Sequence, residues 1–87
     1  MASIEEVKAA LLQAAEQGNT TLSQIRSAAE HTEQVLNRLR VVAAGTNHPK
    51  IAEAIQRAEQ SKQRLSEAAT SIQGSSAAAR EYVSVLG

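Results

Sequence analysis

Two histidines, nine glutamates and scattered serine and threonine hydroxyls are the side chains with which this chain could do acid–base, nucleophilic or metal chemistry. The densest group is Glu30-His31-Thr32-Glu33. A di-metal site in a helical bundle takes inward-facing glutamates and a Glu-x-x-His pair. Here the order is inverted, and Glu30 and Glu33 fall off the apolar stripe that any helix through them would bury. His31 flanks that stripe and reads as an interfacial histidine. His48 lies in Ala-Ala-Gly-Thr-Asn-His-Pro-Lys-Ile, residues 43–51, with no acidic or thiol neighbour to orient it as a base. Nucleophilic catalysis asks for a hydroxyl or thiol, a base and an orienting acid. No spacing brings Ser and His together, and the chain has no Asp. The absence of Cys excludes disulfides and thiolate metal sites, and no glycine-rich loop is built to cradle phosphate. The reading is no enzyme, no metal and no cofactor.

Length and composition narrow the classes further. Eighty-seven residues make one small domain, 1–87. Nine Lys plus Arg balance nine Glu, which argues against a general polyanion binder. One aromatic residue, Tyr82, leaves almost nothing to stack on bases, so nucleic-acid binding is a minor reading. No apolar run approaches the roughly 18 residues that cross a bilayer. The start, MASIEEVK, is acidic where a cleaved signal peptide is basic and then apolar, so the expected compartment is the cytoplasm. Abundant Ala, Gln, Glu, Ser and Leu, with four Gly and one Pro, favour long helices.

The elements follow from a seven-residue repeat. Ser3-Ile4-Glu5-Glu6 is a capping-box sequence. From it, Ile4, Leu11, Gly18, Ile25, Thr32 and Leu39 share one phase. Val7, Ala14, Thr21, Ala28, Val35 and Val42 hold a second, and Ala15, Leu22, Ala29, Leu36 and Ala43 widen the stripe. This spacing keeps one face towards a partner and predicts a helix over about 4–44, roughly 60 Å at 1.5 Å per residue. Gly45 suits a left-handed position closing that helix. Thr46, Asn47 or His48 can cap the next, and Pro49 fits its first position. The segment 45–48 is therefore a turn between two helices. Beyond it, Ile51, Ala58, Leu65, Ile72, Ala79 and Leu86 share a phase, joined by Ala54, Ala68 and Tyr82 and by Ile55, Ala69 and Val83. Lys62 and Ser76 interrupt the last series, Lys62 laying its stem on the stripe and sending its ammonium to water. The second helix is expected over about 49–85.

The architecture is an all-α, antiparallel two-helix hairpin. Folding about residue 47 pairs positions whose numbers sum to about 94, so Gly18 faces Ser76, with Gly74 half a turn away. Two small polar steps meet there. A thin waist in continuous helices is expected; the alternative is a kink, since Thr21-Leu22-Ser23-Gln24 also spells a capping box. The expected interface comprises Ile4, Val7, Leu11, Ile25, Val35, Leu39, Ile51, Ile55, Leu65, Ile72, Tyr82, Val83 and Leu86. Such a stripe is wider than one seam can cover, with Leu12, Val41 and Val85 outside it. Pairing into a four-helix bundle is the usual remedy. Residues 36–64 hold six basic and two acidic side chains, a net +4, and the rest carries −4. Either this is a solvated surface with pairs such as Glu53 and Arg57, or an antiparallel partner lays its basic tip over the acidic end.

The pattern resembles the small actinobacterial helical hairpins of the WXG100 (ESAT-6-like) group. The resemblance covers nearly the whole length: two long Ala- and Gln-rich helices, a Gly-containing turn at Gly45, and a C-terminal AAAREYVSVLG with one Tyr. The group's Trp-x-Gly is absent, and Tyr82 is followed four residues later by Leu86 instead of an acid. The resemblance implies a non-enzymatic, coiled-coil-like interaction protein. It would pair as homodimer or heterodimer, as companion of a larger protein in type VII secretion or toxin systems, with type VII-like export as the alternative to the cytoplasm. A structural bundle or oligomerisation module is the second reading, and a nucleic-acid-binding regulator the third.

Overall fold

The computed structural model describes residues 2–87 and consists of two α-helices, α1 (Ile4–Gly45) and α2 (Pro49–Leu86), joined by residues 46–48. The expected hairpin is present, and its helices end within a residue of where the repeat placed them. Ser3 caps α1 through Oγ, which accepts from the Glu6 N–H at 3.1 Å. The reciprocal bond from the Ser3 N–H to the Glu6 carboxylate is not among those made by the described residues, so half of the capping box forms. Both helices run unbroken through Gly18 and Gly74. The Thr21 sequence therefore lies mid-helix, and no kink develops there.

The corner departs from expectation. Gly45 is not left-handed: it remains the last helical residue of α1, and the chain leaves through an extended Thr46 at φ −154°, ψ 147°. The last carbonyls of α1 lie at an exposed corner where water can satisfy them, which removes the need for a left-handed cap. Thr46 Oγ1 accepts from the His48 N–H at 3.3 Å and sets the direction of the turn. Pro49 forces His48 out of the helical region, to φ −62°, ψ 133°. From there His48 Nδ1 accepts from the Lys50 N–H at 3.1 Å and caps α2, while the His48 carbonyl accepts from the Ile51 N–H. Pro49, lacking an N–H, occupies the first position of α2, where none is needed. The left-handed glycine is Gly87, at φ 83°, whose N–H returns to the Ser84 carbonyl beyond α2.

The molecule is a rod of 63 × 19 × 15 Å with one seam along it. Its enclosed side chains are few: Ala15 and Leu36 are 1% and 0% exposed, and Ser76 is buried beside Gly18. The centre of the α1 seam is thus the row Ala15, Leu22, Ala29, Leu36, Ala43, together with Leu11, Gly18, Ile25, Thr32 and Leu39. This corrects the weighting of the rows. Val35 and Tyr82, placed in the interface by the repeat, are each 50% exposed, and Ile4, in the first turn of α1, is 56% exposed. The remaining expected interface residues, Val7, Leu11, Ile25, Leu39, Ile51, Ile55, Leu65, Ile72, Val83 and Leu86, are all at least half-covered.

The corner makes a clear prediction. No atom lies within 4 Å of a methyl added at Gly45, and its backbone is already helical. Gly45→Ala should therefore be neutral or stabilise by about 0.5 kcal/mol, whereas His48→Ala, which removes a cap acceptor, should cost about 1 kcal/mol. Thermal melts of the two variants check this, and a loss on Gly45→Ala would show that the helix ends otherwise.

Candidate interaction surface

The chemistry-bearing residues do not converge. Among the described residues, no three His or Glu side chains come together as a metal site requires. His31 is exposed on α1 and does not enter the seam, since a residue two positions after Ala29 points away from α2. Glu30 is exposed, and Glu33 turns towards α2 to meet a cation. Asn47 is exposed in the turn, and His48 is occupied as a cap. What the fold does organise is the two long sides of the hairpin, which differ in kind.

One side is ionic. Glu33 Oε2 accepts from Lys62 Nζ at 2.6 Å across the seam, and its other oxygen lies 3.5 Å from Arg40 Nη1. Arg40 Nη2 in turn lies 3.7 Å from Glu59 of α2. Lys62 occupies a position that the repeat reserves for an apolar residue. Its ammonium goes to a carboxylate of the opposite helix and not simply to water. The hydrogen bond from Lys62, aided by the charges of Lys62 and Arg40, holds the Glu33 carboxyl below its ordinary 4.5 against a smaller opposing effect of desolvation. Glu53 is lowered in the same way by hydrogen bonds from Lys50 and Arg57 within α2.

The other side is apolar and small. Ala14, Gln17, Gly18 and Thr21 of α1 line one shallow cleft with Ile72, Ser75, Ser76 and Ala79 of α2. Ala14 and Thr21 belong to the row Val7, Ala14, Thr21, Ala28, Val35, Val42. Ser75 belongs to the row Ala54, Ser61, Ala68, Ser75, Tyr82. Because these rows share a cleft, they lie on the same side of the hairpin and flank the seam along its length. Val35, Val42 and Tyr82 each leave about half their surface to solvent here. Val85, exposed three residues beyond Tyr82, extends the patch at the open end. Val41 and Leu12, also exposed, lie off this face.

The expected waist is present at Gly18 and absent at Gly74. A methyl added at Gly18 would run into Ser76 Oγ, with Ser76 Cβ and Ile72 Cγ2 both at 3.7 Å, whereas nothing lies within 4 Å of one added at Gly74. The Gly18–Ser76 pairing is the one that the sum of about 94 requires. Only the hydroxyl is too close, so rotation about the Ser76 Cα–Cβ bond can relieve the clash at the cost of the present rotamer.

Two measurements follow. Gly74→Ala should stabilise by about 1 kcal/mol through helix propensity, and Gly18→Ala should gain less or lose, because Ser76 must move; equal gains in thermal melts would remove the close approach. The second concerns acid. A carboxyl lowered in the folded chain contributes stability that is complete above its unfolded value, near 4.5, and lost as pH falls through the lower folded value. Melting temperature should therefore fall below about pH 4.5, and Glu33→Gln should flatten that fall while lowering stability at neutral pH. An unchanged acid slope would show that the cross-helix pair does not couple to folding.

Neither a family model, nor a curated protein, nor a solved structure matches this chain.

Proposed function

We propose that the chain is a non-enzymatic helical-hairpin interaction protein whose small-residue face packs against a protein partner. Its mode of action would follow the WXG100-type companions of type VII secretion or toxin systems that its sequence resembles. One observation carries the reading: two rows, one per helix, leave Val35, Val42 and Tyr82 half-exposed on a single side, while near the turn the opposite side is bridged by ion pairs. A side that faced only water would gain from Lys and Glu in these rows, as the ionic side has. An enclosed site is a poor alternative, since the cleft beside Gly18 is open and lined mainly by Ala, Ser and Thr. No helix among the described residues is long and apolar enough to cross a membrane.

The second reading is a structural bundle module, favoured by the 63 Å rod, which suits a spacer or a strut. The two readings differ in whether a distinct protein is held. Affinity capture from native lysate with the wild-type chain, with Val35→Glu on the apolar face and with Gln73→Glu on the ionic side distinguishes them. The interaction reading expects one stoichiometric partner, retained by Gln73→Glu and lost with Val35→Glu. Capture that is indifferent to Val35 would reject the assigned face.

A further inference from the structure

One hydrogen bond at the turn exists only while a ring nitrogen lacks its proton. His48 is extended at φ −62°, ψ 133°, and its Nδ1 accepts from the Lys50 N–H at 3.1 Å, as the oxygen of a serine or asparagine cap would. An imidazole nitrogen accepts only when unprotonated, so this cap requires the neutral ring with its proton on Nε2. The imidazolium donates from both nitrogens and accepts at neither. It would also set a cation against the first turn of a 38-residue helix, where the macrodipole is positive. His48 is exposed, so protons reach the ring from solvent. Nothing around it offsets the loss. The cleft that His48 borders is lined by Ala43, Thr46, Asn47, Ile51, Ala52 and Ile55, none of which ionises. On the α1 side, residues 41–46 carry no charge, and the charged residue before them is a cation, Arg40. On α2, the Lys50 ammonium lies 2.9 Å from Glu53, which also meets Arg57 at 3.1 Å, so that carboxylate is already held by two cations. His31, exposed in the middle of α1, caps nothing.

We propose that the turn is a pH-sensitive cap: neutral His48 closes the start of α2, and protonation of its ring releases the Lys50 N–H and loosens the first turn of that helix, from Pro49 to Ala52. The cap is complete on the alkaline side of the imidazole's titration and lost on its acid side. The rest of the hairpin stays closed over that range, because its pH-dependent contacts belong to carboxylates. Glu33, which meets Lys62 across the seam, is held below the ordinary carboxylate value by that hydrogen bond, and Glu53 by those from Lys50 and Arg57. Both remain ionised where an imidazole ordinarily takes up its proton. Mild acid therefore acts on the turn, and stronger acid on the cross-helix ions. Two separate responses are built into one rod, and the milder one is confined to its tip.

Nitrogen-15 NMR of the whole chain, titrated from about pH 8 to about pH 5, tests this. At the alkaline end the His48 ring should carry its proton on Nε2. The Lys50 amide should there exchange with water about fivefold more slowly than in His48→Ala, the ratio that a cap of about 1 kcal/mol gives. At the acid end that ratio should fall to about 1, and the Lys50 amide shift should move with the same midpoint as the His48 ring. His48→Asn keeps a side-chain acceptor that does not titrate in this range, so its Lys50 amide should hold both shift and protection throughout. His31→Gln should leave the wild-type response intact. A His48 ring protonated on Nδ1 at the alkaline end overturns the cap. So does a Lys50 amide that is indifferent to the His48 titration, or one that follows His31 instead. Loss of amide protection at Leu36 and Ile72 with the His48 midpoint would overturn confinement to the turn.

Discussion

A single seam has to do for this chain what a core does for a larger domain. Two helices side by side can enclose only the side chains that point directly between them, and here that comes to Ala15, Leu36 and Ser76. Helix propensity holds each long helix together locally, but their relative height depends on that one line of contact. The register is therefore fixed by features that an apolar stripe alone would lack. At one level Gly18 admits Ser76, and at another Lys62 reaches Glu33 across the seam. Sliding one helix by a turn would set Ser76 against a larger side chain and part Lys62 from its carboxylate. Polar groups at seam positions commonly lower stability while selecting one alignment. Lys62 and Ser76 are the two interruptions of the α2 repeat, and both sit where alignment is at stake.

The same constraint divides the surface. Once the charged flank closes over the seam through Glu33, Arg40, Glu59 and Lys62, the opposite flank is left with small and apolar rows. The hairpin is thus asymmetric about its own plane near the turn, ionic on one side and small and apolar on the other. This is a stronger statement than that some apolar residues are exposed, because scattered exposure is ordinary for any protein. Here Val35 and Val42 of α1 and Tyr82 of α2 share one side, while Leu12 and Val41 are exposed elsewhere.

Much of this was legible in the residues. The seven-residue repeat defines both helices, Pro49 and the breaks around it define the turn, and the pairing sum identifies the facing of Gly18 and Ser76. The choice among three adjacent apolar rows in α1 was not legible from apolarity, since any two neighbouring rows make a seam. What decides it is the flank. Only with Leu22, Leu36 and their row at the centre do Glu33 and Arg40 come to border α2 and find Lys62 and Glu59. The same pairing rule that placed Gly18 could have matched Glu33 with Lys62, and doing so would have moved Val35 and Tyr82 to the edge. The corner was misread for a different reason. Gly45 permits a left-handed cap without requiring one, and an exposed helix end whose carbonyls reach water gains little from it.

Why a chain would leave one flank unfinished is answered by the cost of the alternative. Val35, Val42 and Tyr82 each leave about half their surface in solvent, so charged residues could stand there at less cost than in the enclosed seam. Their apolarity is therefore only partly used by the hairpin itself. Nor do they assist helix formation, since Val and Tyr are weaker helix formers than the Lys, Glu and Gln found elsewhere on these helices. Residues that cost helical stability, add little to the enclosed seam and share one side of the hairpin are the observation on which the proposed interaction face rests.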